Sequence, residues 1–327
     1  MALDTVPWFI GGGAEHSPEV ARLLAYTATG GAQGVTQAGD LRVAALAVPG
    51  TAVRIYPGSA VLPNRYPGGG QQSYMVRNES ASTEVQIPAT GSTGGATRYI
   101  ILRVDDPQYP GQLTPADVKF GPYVRATYVS SITNLAYPHV VLAKIVQPAN
   151  TGTITQAMIT DLREVANPRT LEVVRPNPII MSDTGLALGA TGADGEVFPN
   201  AGGTQSIDIP TWATRVQIRA EWLGVRIPSS AGYGEYWAEY GPYLRPSTRA
   251  YTSQRFNWDA DETSPVYRTN WIMHDDLYVP AAVRGTSQVF YMKGRILLDK
   301  VNKPTLDAKS GVVMSVRFLE LADPSDS

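Results

Sequence analysis

The side chains that could do chemistry are few and far apart in this sequence. The three histidines, His16, His139 and His274, form no HExxH or HxH pattern, and a surface or packed position is the simpler interpretation for each. The chain has no cysteine, which excludes disulfides, zinc–thiolate sites and a cysteine nucleophile. It also has no GxSxG and no Walker A motif. We therefore predict that the protein is not an enzyme.

Two acidic clusters are the remaining candidates for a metal site or a carboxylate pair. Asp259-Ala260-Asp261-Glu262 and Asp275-Asp276 offer the carboxylate oxygens that Ca²⁺ prefers, but without the spacing of an EF-hand. The same residues could supply the two carboxylates of a glycoside hydrolase. Exposed aspartates in turns are the simpler interpretation. We therefore predict no cofactor, with a structural Ca²⁺ as the alternative.

Aromatic residues are concentrated in the C-terminal half, where five of the six tryptophans lie between residues 212 and 271. Trp222 and Trp271 lie in apolar, strand-like runs, so we expect them in a core. The glycine-rich stretch Gly232–Tyr243 predicts a loop instead. Its rings are candidates for contact with a partner or receptor: Tyr233, Tyr236, Trp237, Tyr240 and Tyr243. Burial in the core, a subunit contact and a glycan contact are the alternatives for these side chains.

The N-terminus carries a short apolar segment before a glycine run. Residues 1–16 are predicted to be an arm, in which Trp8, Phe9 and Ile10 form an apolar hook before Gly11-Gly12-Gly13. The hook is too short to make a core of its own, so we expect it to anchor the chain in a neighbouring subunit. Folding back onto its own domain is the alternative. We expect no signal peptide and no membrane insertion, because a basic start and an 18-residue apolar run are lacking.

The elements that position these residues are predicted to be mainly β-strands. Charged residues make up 17% of the chain, and it has 31 glycines and 25 prolines, a composition that favours short strands and turns. Ser17-Pro18-Glu19 predicts the start of one helix, which ends near Thr29-Gly30-Gly31. Thr155–Val165 is predicted to be a second helix. Alternating polarity predicts strands at 41–43, 53–55, 74–77, 85–88, 99–104, 140–145, 206–210, 214–221, 289–298 and 312–319.

Repeated X-Pro steps predict a domain junction after Asn167, since the residue before a proline favours extended backbone. The predicted order is an arm (1–16), a β-rich domain with two short helices (17–168), a proline-rich connector (169–178) and an antiparallel, jelly-roll-like β-sandwich (179–327). The net charge is −2, and both halves are close to neutral. Neither half has the positive field that a nucleic-acid partner requires.

Several blocks of this sequence, in order, resemble minor tail proteins of actinobacteriophages with long non-contractile tails. In residues 3–170 they are VPWFIGGGAEHSPEVARLLAY, GDLRV, VRIYPGSAVLPN, GGGQQSYMVRNES, RVDDPQY and TGTITQAMITDLREVANPR. The C-terminal half is also similar, through IDIPTWATRVQIRAEW, DDLYVPAAVRGTSQVF and VRFLELAD. The resemblance implies a virion component near the tail tip or baseplate that is assembled in the host cytoplasm, with residues 17–168 as the virion-anchoring domain.

The residues and the resemblance together lead to one functional prediction and two alternatives. We expect a structural minor tail protein at the tail tip that contributes to assembly and host adsorption. Its expected partners are other tail-tip proteins, further copies of itself in a trimer, and a host cell-surface glycan. The alternatives are a receptor-binding protein that grips cell-wall glycan through its C-terminal domain and a cell-wall glycan hydrolase. Exposed, clustered aromatics would favour binding, whereas two carboxyl groups roughly 5–10 Å apart in a cleft would favour hydrolysis.

Overall fold

The computed structural model describes residues 17–177, 185–200, 202–227, 229, 231–242, 251–261, 265–298 and 303–322. The predicted arm with Trp8, Phe9 and Ile10 lies outside the described residues, and so does Tyr243. The chain divides into two compact units, one formed by Met1–Pro168 with Ala322–Ser327 and the other by Arg169–Leu321. Each unit has a hydrophobic core of its own.

The described part of the first unit contains one α-helix and ten short strands. These are α1 (Pro18–Thr29), β1 (Gly34–Val35), β2 (Val43–Ala45), β3 (Ala52–Ile55), β4 (Gly58–Pro63), β5 (Ser73–Asn78), β6 (Thr83–Gln86), β7 (Ala96–Val104), β8 (Val124–Val129), β9 (His139–Gln147) and β10 (Ile159–Asp161). They form three antiparallel sheets with the orders β1-β4-β5, β2-β3-β6 and β10-β9-β7-β8. Leu41, Ile55, Leu62, Ile100 and Leu142 belong to the core that these sheets share.

The first predicted helix is confirmed in its position and its ends. The Ser17 hydroxyl accepts a hydrogen bond from the Val20 backbone N–H at 3.4 Å, and Gly30 ends the helix in the left-handed conformation, with φ of 62°. Its buried residue is Arg22, whereas Leu23 and Leu24 are exposed. The sequence places Val20, Leu23 and Leu24 at the spacing of one apolar helix face, but this is not the face that α1 buries. No helix in the described residues is long and apolar enough to cross a membrane.

The second predicted helix, at Thr155–Val165, is wrong. Gln156–Met158 forms a single 3-10 turn, and the Thr155 side chain makes no capping bond. The chain then continues as β10, which pairs with Ala143–Ile145 of β9. Ile159 and Thr160 are β-branched and therefore stiff at χ1, which favours a strand wherever a neighbouring strand can pair with them.

The described part of the second unit contains eleven strands in two antiparallel sheets. These are β11 (Thr170–Asn177), β12 (Leu186–Ala187), β13 (Glu196–Val197), β14 (Thr204–Asp208), β15 (Arg215–Ile227), β16 (Gly232–Tyr240), β17 (Phe256–Ala260), β18 (Tyr267–Tyr278), β19 (Ser287–Leu298), β20 (Thr305–Leu306) and β21 (Gly311–Leu319). One sheet has the order β11-β21-β15-β20-β12, with β18 also paired to β15; the other has the order β13-β19-β16-β17, with β14 paired to β19. Their inner side chains share one core. The prediction of a mainly β fold with an antiparallel β-sandwich is confirmed.

Residues 169–178, predicted to be a connector, contain β11. Thr170–Asn177 pairs along its whole length with Val312–Leu319 of β21, at one edge of its sheet. Pro176 is tolerated there because an edge strand needs backbone donors on one side only. The extended backbone expected from the X-Pro steps is present, but it belongs to the sheet of the second unit.

The predicted loop at Gly232–Tyr243 is wrong for Gly232–Tyr240, which form β16. This strand lies inside its sheet and pairs with β17 on one side and β19 on the other. Gly234 is required by packing rather than by a turn. A Cβ at this position would lie against the Arg295 carbonyl oxygen and 2.6 Å from Nε1 of Trp258. Glycine therefore permits a close approach of strand and ring.

Gly234→Ala and Gly232→Ala form a matched test of this strand. We expect Gly234→Ala to lower the free energy of unfolding by about 1–3 kcal/mol, because the added methyl group overpacks the site. Gly232→Ala should be neutral or stabilising by up to about 1 kcal/mol, since its added Cβ would come no closer than 3.4 Å to any neighbour. Urea unfolding of both variants measures the difference. Equal tolerance of the two alanines would contradict the placement of β16.

Candidate functional site

The structure places most of the predicted aromatic contact residues inside the second unit. Tyr236, Trp237 and Tyr240 are buried, with exposed fractions of 7%, 0% and 2%, whereas Tyr233 is 47% exposed. Tyr243 lies outside the described residues. Three of the five candidates therefore have no surface to offer to a partner or a receptor.

Tyr236 belongs to an aromatic cluster that joins the two sheets. Its ring stacks on Trp271 of β18, with centroids 5.2 Å apart, and meets Trp222 of β15 edge to face at 5.4 Å. From its own sheet, Phe256 of β17 stacks on it at 5.8 Å. Trp258, also of β17, stacks on Trp271 at 5.7 Å. The expectation that Trp222 and Trp271 are core residues is confirmed.

Trp237 lies on the opposite face of β16 and is nevertheless buried. A Cβ added at Gly195 would overlap its ring, so the chain at Gly195 covers it directly. The Arg255 guanidinium lies 4.3 Å from the ring centroid. The ring N–H donates to Glu239 at 2.7 Å, and Glu239 pairs with Lys293 at 3.2 Å. This face therefore buries an ion-paired cluster instead of presenting a binding platform.

The described histidines occupy the positions that the simpler interpretation predicts. His139 is buried, and its Nδ1 lies 2.9 Å from the Tyr137 carbonyl oxygen. Burial lowers the pKa of His139. His274 is exposed on β18. Neither position brings a histidine into an acid–base arrangement with a nucleophile.

Three of the acidic candidates lie on strands rather than in turns: Asp259 is part of β17, and Asp275 and Asp276 are part of β18. Asp261 follows the end of β17, and Glu262 lies outside the described residues. Asp275 accepts a hydrogen bond from the Gln254 N–H at 2.7 Å, and Asp276 forms an ion pair with Arg215 at 3.1 Å. Among the described residues, no three metal-ligating side chains come together.

A groove of about 660 Å³ lies in the first unit beside the start of α1, and its volume is within the range of ligand sites. Apolar side chains form much of its lining: Pro18, Met75, Val76, Val118 and Val124. Met75 and Val118 are 56% and 66% exposed. The groove therefore presents apolar surface to the outside, which is a mark of interaction sites.

Arg22 lies on the polar side of this groove and forms hydrogen bonds with three other side chains. Its guanidinium donates to Gln72 at 2.6 Å, to Gln108 at 2.8 Å and to Asp106 at 3.2 Å. The Tyr74 hydroxyl donates to the same Asp106 oxygen at 2.7 Å. Burial, together with this hydrogen bond, raises the pKa of Tyr74. The cation is thus held by Gln72, directly before β5, and by two side chains from the loop after β7.

Asp105, next to this cluster, is held between two arginines. Its carboxylate accepts from Arg103 and from Arg125, both at 2.5 Å. The hydrogen bond to Asp105 raises the pKa of the Arg125 guanidinium. Both Asp105 and Asp106 are therefore committed to cations, so the groove suits the binding of an apolar group better than acid–base chemistry.

The sequence analysis did not identify the groove. Its residues come from α1, from β5 and from the loop between β7 and β8, which only the tertiary fold brings together. No local signal marks Arg22 as buried, because the apolar helix residues beside it, Leu23 and Leu24, are the exposed ones.

Comparison with known proteins gives only distant likenesses. No protein-family model matches the chain, and no curated protein does either. The VP2 subviral particle of infectious bursal disease virus is 12% identical, with 94% of this chain and 79% of that chain covered and a TM-score of 0.27. The native virion of Kashmir bee virus at acidic pH is 11% identical, with 48% and 73% covered and a TM-score of 0.17. Dimeric latent PorU from Porphyromonas gingivalis is 9% identical, with 89% and 26% covered and a TM-score of 0.27. TM-scores this low do not establish a shared fold.

Trp237→Ala and Tyr233→Ala test whether these rings are core residues. We expect Trp237→Ala to lower the free energy of unfolding by about 3–5 kcal/mol, because it leaves a cavity and removes the partner of Arg255 and Glu239. Tyr233→Ala, on the same strand but half exposed, should change it by no more than about 0.5 kcal/mol. Both values come from urea unfolding followed by circular dichroism. A fully stable Trp237→Ala variant would show that this ring is not structural.

Proposed function

We propose that this chain is a non-enzymatic structural component of a bacteriophage virion, a minor tail protein at the tail tip. The observation that carries the proposal is the resemblance of residues 3–170, block by block and in order, to minor tail proteins of actinobacteriophages. The fold is compatible with this role, because both units are built from short antiparallel strands around cores of their own.

The groove of the first unit supports a role in binding protein segments. Its exposed apolar side chains, Met75 and Val118, are suited to an apolar partner surface. Its carboxylates, Asp105 and Asp106, are held by arginines and a tyrosine, so they stabilise the site and leave no free base in it. A site of this kind suits a structural protein that contacts neighbouring proteins in a particle.

The receptor-binding alternative was inferred from the aromatic residues of Gly232–Tyr243, and three of these side chains are buried. Among the five candidate aromatics, Tyr233 is the one that the described residues show as substantially exposed. A glycan would therefore need another surface of the second unit. The hydrolase alternative draws on the acidic clusters at residues 259–262 and 275–276. Within them, Asp259 and Asp275 accept backbone hydrogen bonds and Asp276 pairs with Arg215.

Purified particles of the phage that carries this gene provide the test. We expect peptides of this chain at a constant ratio to the tail-tube protein, and density for it at the tail tip in a multiple of three copies. Recombinant protein incubated with host cell wall should release no reducing ends.

Absence of the chain from particles would overturn the proposal. Turnover of cell wall that is lost on Asp259→Asn or Asp275→Asn would favour the hydrolase instead. A copy number that is not a multiple of three would rule out the trimer while leaving the virion location intact.

A further inference from the structure

The groove beside α1 is bordered by apolar side chains that stay exposed among the described residues of the first unit. Met75 lies on its wall in β5, and Val118 comes from the loop between β7 and β8. Phe120, two residues further along the same loop, is 77% exposed. Contact between this apolar lining and water is unfavourable, and an apolar group that occupied the groove would remove that contact.

The chain outside the described residues begins at the wall of this groove. Pro18 lines the groove, and Ser17 leaves the helix start in an extended conformation, with φ of −73° and ψ of 144°. Seven residues separate Ile10 from Pro18, which gives a maximum reach of about 28 Å. Gly11-Gly12-Gly13 lies within that tether and allows the chain to reverse its direction.

The segment at the end of this tether has the chemistry that the groove requires. Trp8, Phe9 and Ile10 are consecutive apolar residues, which suit the apolar wall of the groove. Both carboxylate oxygens of Asp106, on the polar side, already accept hydrogen bonds within the first unit, so the apolar wall is the surface that the segment would contact. We propose that the groove binds the Trp8-Phe9-Ile10 segment of the same chain, before the protein joins any assembly.

The short tether selects the same chain over a second copy. A link of so few residues keeps the segment at roughly millimolar effective concentration near the groove. At micromolar protein, a second copy offers its segment at a far lower concentration. The inference concerns the isolated protein, so it does not depend on a location in the virion.

The absence of native cysteine allows a direct test by disulfide trapping. Pro7→Cys places a thiol beside the segment and leaves Trp8, Phe9 and Ile10 intact, and Thr114→Cys places another in the groove lining. The control pair combines Pro7→Cys with Thr133→Cys. Thr133 is an exposed threonine beyond the far end of β8, whose near end, at Val124, borders the groove. Under mild oxidation we expect an intramolecular disulfide that forms several-fold faster in the groove pair than in the control pair.

A third variant separates specific binding from chance contact. Replacing Trp8, Phe9 and Ile10 by alanine in the groove pair should reduce its rate to that of the control, while the circular-dichroism spectrum of the folded protein stays unchanged. Equal rates for both pairs, or a rate that the alanines leave unaltered, would overturn the proposal. Disulfide-linked dimers in place of monomers would show that the groove takes the segment of a second copy. None of these results bears on whether the chain is found in particles.

Discussion

The stacking of Tyr236 between the two sheets of the second unit is the interaction on which the rest of that unit depends. Its ring contacts Trp222 and Trp271 across the sandwich and Phe256 within its own sheet. Aromatic side chains bury large areas and hold defined relative orientations. They therefore fix which face of β16 packs against β15 and β18. Because side chains alternate along a strand, Trp237 lies on the other face, where Gly195 and Arg255 cover it.

The first unit depends on a different constraint, which is the burial of a charge. Arg22 is enclosed by α1, β5 and the loop after β7, so its cost of desolvation has to be offset by Asp106, Gln72 and Gln108. These contacts fix the helix against β5. Arg22 and its partners Asp106 and Gln108 line one side of the groove, and apolar side chains line the side next to it. The groove thus has a polar side that is hydrogen-bonded and an apolar side that is exposed.

Much of the fold could be predicted from local pattern. Strands with one buried and one exposed face, such as β15 and β21, alternate in polarity and were predicted. The bounds of β21 were predicted within one residue, whereas β15 was predicted from its start but continues six residues beyond the predicted end. The start of α1 was recognised because Ser17 and Pro18 are typical of helix starts. β16 was missed because both of its faces are buried, which removes the alternation, and because its glycines serve close packing. The second helix was predicted because Met158, Ile159 and Leu162 have the spacing of one helix face. In the structure, residues 159–161 form a strand instead, because they pair with β9.

The candidate site was harder to predict from the sequence than the fold. The aromatic residues were recognised as a group, yet whether a tryptophan is covered depends on distant residues, as Gly195 shows for Trp237. The groove required Arg22, Tyr74 and Asp106 to meet, and no spacing in the sequence relates them. Non-local contacts of this kind carry no periodic signal.

Hydrogen–deuterium exchange tests the central structural claim most directly. If β16 is an inner strand whose rings join the two sheets, its amides between β17 and β19 should exchange only through global unfolding, together with those of β15. Mass spectrometry of peptides that cover Gly232–Tyr240 would then show protection over hours, and the protection would fall in parallel with overall stability in added urea. Exchange of these amides within seconds, while β15 stays protected, would contradict the account and return this stretch to an exposed loop.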